Sequence, residues 1–158
     1  MVSPETESKI ELKRKLHQML LTRLEEKIAG IGAAIRELQA SANDETKSSA
    51  GDKYETGRAM VHLEIEKLVQ QLQAVTQART FVASVNISEK ADIVRSGTVV
   101  ETTIGNFFYS VNGGELLLAG KKIISISAES PLGARLRHQS KGAEFTLNGK
   151  MVRIIDVF

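Results

Sequence analysis

The sequence predicts an α+β protein: a long antiparallel α-helical hairpin, then a small β-rich domain with one short helix. Three observations carry this. Over two stretches of the first half, apolar residues recur in steps of three and four. After about Thr80 they become β-branched and alternate. Near the end, Asn148-Gly149 separates two strand-like runs, and that dipeptide suits the two positive φ angles of a type I′ turn.

The first helical stretch, Lys9 to Ala42, carries Leu12, Leu16, Leu20, Leu24, Ile28, Ile31, Ile35 and Leu38. The second carries Val61, Ile65, Leu68, Leu72 and Val75. This is the narrow seam of a coiled coil, not the broad stripe of a helix on a globular core. Glu, Lys, Arg and Gln fill the remaining faces and favour helix. Two seams of similar length bury each other when the chain folds back on itself. Helices of about 30 residues would each be about 45 Å long. Gly30 and Gly32 weaken the first helix by about 1 kcal/mol each relative to Ala; they mark a close helix approach, a slight bend, or nothing functional.

The segment joining the helices, residues 41–57, is rich in Ser, Asn, Asp and Gly, which favour turns and caps. It is expected to be the hairpin's tip loop, with the hairpin domain spanning 1–82 and the β domain 83–158. In the second domain, strands are expected at Thr98 to Thr102, Asn106 to Val111, Glu115 to Ala119 and Lys122 to Ser127. Ser130-Pro131 reads as a helix start, with Ser as N-cap and Pro at the first position, where no amide hydrogen is needed. A short helix from Leu132 to about Gln139 follows, then the closing hairpin of Phe145 to Leu147 and Met151 to Val157.

Composition narrows the function. The 158 residues allow one ordinary domain, or one elongated element and a compact module. Aromatic residues are only 4%, so Leu, Ile and Val must fill the core. The lack of Cys removes disulfides, thiolate metal sites and Cys nucleophiles, and fits a reducing cytoplasm. No apolar run approaches the roughly 18 residues that span a bilayer, and the opening residues lack a signal peptide's apolar stretch. A cytoplasmic protein with no membrane partner is expected. A net charge of +2 is too small for wrapping nucleic acid through phosphate contacts alone, which favours a protein partner or a complex that itself holds nucleic acid. There is no Gly-x-Ser-x-Gly elbow and no His near a plausible Ser nucleophile, so an enzyme acting alone is not expected. His17, His62 and His138 have no ligand spacing.

The run from Ile126 through Glu129-Ser130-Pro131-Leu132-Gly133, followed by Leu136, Gly142 and the closing hairpin, resembles the C-terminal pattern of the bacterial Gre transcript-cleavage factors. In that family a Ser-Pro-(Ile or Leu)-Gly helix start precedes a Leu, a Gly and two final strands. Arg135 is similar to the family's basic residue in this helix, one position later, and His138 stands where the family usually has Gly. The helical hairpin extends the resemblance, as architecture, over nearly the whole chain.

The resemblance implies an FKBP-like C-terminal domain and RNA polymerase as partner, with nucleic acid reached only through the elongation complex. The chain would act as a monomer and have no cofactor of its own. In this family the hairpin enters the polymerase secondary channel, and tip carboxylates help to hold a second Mg²⁺ of the polymerase site. Hard Mg²⁺ takes oxygen ligands, so Asp44, Glu45, Asp52 and Glu55 are the candidate donors. Asn43, Lys47, Ser48, Ser49 and Tyr54 are candidate channel contacts, and Ser130, Pro131, Leu132, Gly133, Arg135 and Lys141 the candidate docking residues. In the family's tip pattern, Glu45 takes the place of the first acid and Tyr54 that of the aromatic, two positions later, while Ser48 replaces the second carboxylate.

Each site has a plainer reading. The tip acids equally serve as helix caps, with Asp44 or Ser41 ending one helix and Asp52 starting the next; Tyr54 equally serves as a packing lid. Lys121, Lys122, Arg135, Arg137 and Lys141 form either a docking face or a solvated one. Three functions stay open: a channel factor that stimulates cleavage, a channel regulator or inhibitor that does not cleave, and a ribosome-associated or scaffold coiled-coil protein.

Overall fold

The computed structural model describes residues 2–45 and 51–158, with side chains over 2–44 and 55–158. It has the expected α+β class, two long helices followed by a six-stranded sheet. Helix α1 spans Pro4–Glu45 and α2 spans Gly51–Ser84. Ser3 starts α1: its hydroxyl accepts the Thr6 amide at 3.3 Å and its carbonyl the Glu7 amide at 3.0 Å. Pro4 follows where no amide hydrogen is needed, and Glu5 and Glu7 suit the positive end of the helix dipole.

At the other end α1 runs on through Ser41, Asn43 and Asp44, and α2 begins at Gly51, one residue before Asp52. The helices thus reach well into the 41–57 segment expected to be loop, and neither Ser41 nor Asp44 ends α1. Once a helix is established, Ser, Asn and Asp each cost at most about 0.7 kcal/mol relative to Ala, too little to stop propagation.

The chain divides into two compact units, Thr22–Thr80, and Met1–Leu21 with Phe81–Phe158. In the first, Leu24, Ile31 and Val75 are buried, and the other seam positions from Ile28 to Leu72 are half-buried. Two helices packed only on one another leave the edges of a seam wet. Arg79 pairs with Glu25 at 3.0 Å, joining the late part of α2 to the early part of this stretch of α1, as antiparallel packing requires. The pair is exposed and contributes little.

The second unit contains β1 (Thr98–Thr102), β2 (Gly105–Ser110), β3 (Gly114–Leu118), β4 (Lys121–Ser127), α3 (Pro131–Leu136), β5 (Glu144–Leu147) and β6 (Lys150–Val157). Their order across the sheet is β3-β4-β2-β1-β6-β5. All neighbours are antiparallel except β2 and β4, which run parallel from Asn106↔Ile123 to Ser110↔Ser127. One face carries a core of Val100, Phe107, Tyr109, Ile126, Ile154 and Val157, joined by Val94 and by Leu136 of α3. On the other face Val99, Phe108, Leu116, Ile123 and Ser125 are buried.

The first turns of α1 belong to this second unit. Leu16 and Leu20 are fully buried, and the Leu20 Cδ1 lies 2.5 Å from where a Cβ on Gly113 would sit. Lys9 bridges Asp156 at 3.0 Å and Glu5 at 3.1 Å, and its Nζ stands 5.2 Å from the centre of the Phe158 ring. These carboxylates hold the Lys9 ammonium above its usual range. Lys13 is the one charged side chain buried among the described residues, and it donates to the Glu89 carbonyl at 3.0 Å. Burial, and then the charge of Arg95, push its ammonium below the usual range.

Two outcomes follow for stability. Leu20→Ala should cost about 2–5 kcal/mol in urea unfolding, while Leu63→Ala, on an exposed face of α2, should stay within about 0.5 kcal/mol. Lys13 has the opposite sign from a salt-bridged lysine. Between its lowered folded pKa and the unfolded value of 10.5, the unfolded chain holds a proton that the folded chain has released, so stability rises with pH across that window. Lys13→Met should remove this alkaline gain and be neutral or stabilising at neutral pH, measured by urea unfolding across the lysine range.

Candidate functional site

Asn43, Asp44 and Glu55 are exposed near the inner ends of α1 and α2. Lys47, Ser48 and Ser49, and the side chains of Glu45, Asp52 and Tyr54, lie outside the described residues. Below the tip the two helices enclose a groove of about 410 Å³ lined by Gln39, Asn43, Arg58 and His62, with Ala42 and Ile65. Gln39 and Asn43 are four apart on α1, as are Arg58 and His62 on α2, so each pair shares a helix face. The groove is lined by amide, guanidinium and imidazole side chains. Arg58 and His62 are additions to the site residues expected from sequence, and their i, i+4 spacing next to the polar segment is the signal that would have found them.

In the C-terminal unit, the segment from Ser130 to Gly142 is organised by local hydrogen bonding. Ser130 is the N-cap of α3: its backbone is extended, and its hydroxyl accepts the Gly133 amide at 3.0 Å while donating to the Ser127 carbonyl at 2.7 Å. Pro131 opens the helix, as expected. A Cβ on Gly133 would lie 1.9 Å from the Ser127 carbonyl oxygen, so only glycine fits. The Gly133 carbonyl accepts the Tyr109 hydroxyl at 3.2 Å, and burial pushes that hydroxyl's pKa up, keeping it a donor. Leu132 packs against the core that Leu136 completes.

The helix stops at Leu136, short of the expected Gln139: Arg137 leaves helical backbone at ψ 125°, His138 follows in a left-handed conformation at φ +61°, and the Gln139 amide closes the turn on the Leu136 carbonyl at 2.9 Å. His is among the non-glycine residues that tolerate this region. Gly142 follows at φ +89°.

Of the six candidate docking residues, Ser130 and Gly133 therefore have their polar groups engaged within the fold, and Leu132 is half-buried. Arg135 and Lys141 remain exposed, the Arg135 guanidinium 5.4 Å from the Phe145 ring centre, where the ring holds the cation at a fixed place. A shallow cleft of about 230 Å³ in the same unit is lined by Arg95, Glu129, Arg137 and His138 around Tyr109. Arg95 and Glu129 were not expected site residues; nothing in their sequence spacing joins them.

Comparison with protein-family models, curated proteins and solved structures finds no match for this chain. Among the described residues no helix is long and apolar enough to cross a membrane.

Substitutions in α3 should separate a lost cap from a steric clash. Ser130→Ala removes one cap bond and should cost about 1 kcal/mol. Gly133→Ala drives a methyl into a backbone carbonyl and should lower the thermal midpoint further, with loss of the Tyr109 near-ultraviolet signal that reports this contact.

Proposed function

We propose that this chain is a Gre-type factor that binds the secondary channel of RNA polymerase and regulates elongation, with an FKBP-like C-terminal domain. The observation that supports this most is the Ser130–Gly142 segment. Ser130 caps the helix, Pro131 opens it, Leu136 is buried in the core and Gly133 stands where only glycine fits, while His138 sits at φ +61° where the family carries glycine. The long helical pair before this domain supports the same reading.

A second reading, occupancy of the channel without cleavage, is favoured by Ser48. A neutral hydroxyl cannot offset the charge of a second Mg²⁺ as a carboxylate does. Asp44 and Glu55 are exposed oxygen donors of the right hardness for Mg²⁺, and Glu45 and Asp52 are the acids that would complete such a set. The protein has no chemistry of its own in either reading; polymerase supplies the reaction.

Pull-down from bacterial lysate is expected to recover polymerase subunits, and recovery of ribosomal proteins in their place would overturn the assignment. The double variant Arg135→Glu/Lys141→Glu should weaken polymerase binding about tenfold or more at low salt while lowering the thermal midpoint by only a few degrees, the share of the Arg135–Phe145 contact. In a backtracked elongation complex with Mg²⁺, the parent should occupy the channel without releasing short 3′ RNA. Release of such fragments, lost in Glu45→Ala and Asp52→Ala while binding persists, would instead assign cleavage to the tip carboxylates.

A further inference from the structure

A cavity of about 300 Å³ lies within the sheet-containing unit, between the first turns of α1, the Lys90–Asp92 segment and the end of β6. Its wall includes Lys13, only 2% exposed. An ammonium has three N–H donors, and Lys13 gives one to the Glu89 carbonyl at 3.0 Å. Among the described residues it forms no ion pair. A buried charge left in this state is costly unless an anion meets it.

The other charges on the wall do not supply that anion. Glu5 and Asp156 are both taken by Lys9. Lys90 and Asp92 are exposed and of opposite sign, so they largely cancel. The wall's three ammoniums and three carboxylates sum to zero, but Lys13 is the buried cation with no carboxylate against it, beside an apolar surface of Ile10, Val157 and Phe158. A volume of this size is at the small end of ligand pockets. One ammonium without a carboxylate matches a monoanion and leaves the second charge of a dianion such as phosphate without a partner.

We propose that this cavity binds a small organic monocarboxylate, whose oxygens accept the N–H groups that Lys13 does not give to Glu89 and whose alkyl or aryl body rests on Ile10, Val157 and Phe158. The inference is independent of the polymerase reading. It can hold or fail whichever partner the hairpin has.

Benzoate is a suitable probe, titrated into the full-length protein by calorimetry and followed by thermal unfolding at constant ionic strength. Saturable heat and a concentration-dependent rise in the thermal midpoint are expected, because a ligand that binds only the folded state stabilises it. Benzamide, the neutral analogue of the same shape, should bind about tenfold more weakly or worse, as loss of a charge-assisted hydrogen bond implies. Lys13→Met should abolish the benzoate response. No saturable signal with benzoate, an equal response to benzamide, inorganic phosphate or added chloride, or an undiminished response in Lys13→Met would each overturn the proposal. If Lys13→Met does not fold, the comparison of benzoate with benzamide decides alone.

Discussion

Helix α1 must serve two cores at once. Over Leu24, Ile31 and the positions between and beyond them, it supplies half of the seam that α2 completes. Before that, Leu16 and Leu20 belong with the strands, where both are fully buried. The sheet has two apolar faces, and six short strands with one six-residue helix cannot cover both. Burying a Leu side chain contributes about 1.5–3 kcal/mol, so the two leucines represent a substantial share of a small domain's margin. The cation of Lys9, held between Glu5 and Asp156, ties the same stretch of helix to β6.

The residues that carry the Gre resemblance in the C-terminal unit are mostly the ones that the backbone needs. Ser130 caps, Pro131 opens, Gly133 clears a carbonyl and Leu136 fills the core. A motif of this kind identifies a local architecture, and it leaves recognition to the side chains that project from it. Arg135, Arg137 and Lys141 are exposed side chains of one sign in this segment, and Arg137 lines the cleft with Glu129 and His138. Exposed cations of this sort act on association rate and salt dependence more than on fold stability.

Periodicity made the helices and strands legible because burial on one face selects one residue in three or four, or one in two. It could not tell which partner buries them. Leu12, Leu16 and Leu20 keep the same spacing as Leu24 and Ile31, yet they belong to the sheet-containing unit. Alternation likewise marks β2 and β4 as strands and says nothing of their running parallel across the sheet, since that depends on β3 pairing outside β4. The buried cation was hidden too. Lys13 sits in Lys13-Arg14-Lys15, which reads as a solvated face, and only the third dimension sets it apart from its neighbours. The α3 start was fully readable, because a cap and a first-turn proline act through bonds only a few residues away.

The double duty of α1 also limits how its length can change. Each residue of an α-helix advances the side-chain direction by about 100°, so one residue inserted between Leu20 and Leu24 would turn the two apolar stripes out of phase by that amount. Seven residues bring the direction back to within about 20°. The pitch of one helix thus sets the phase between the two stripes, which seven residues nearly restore and one does not.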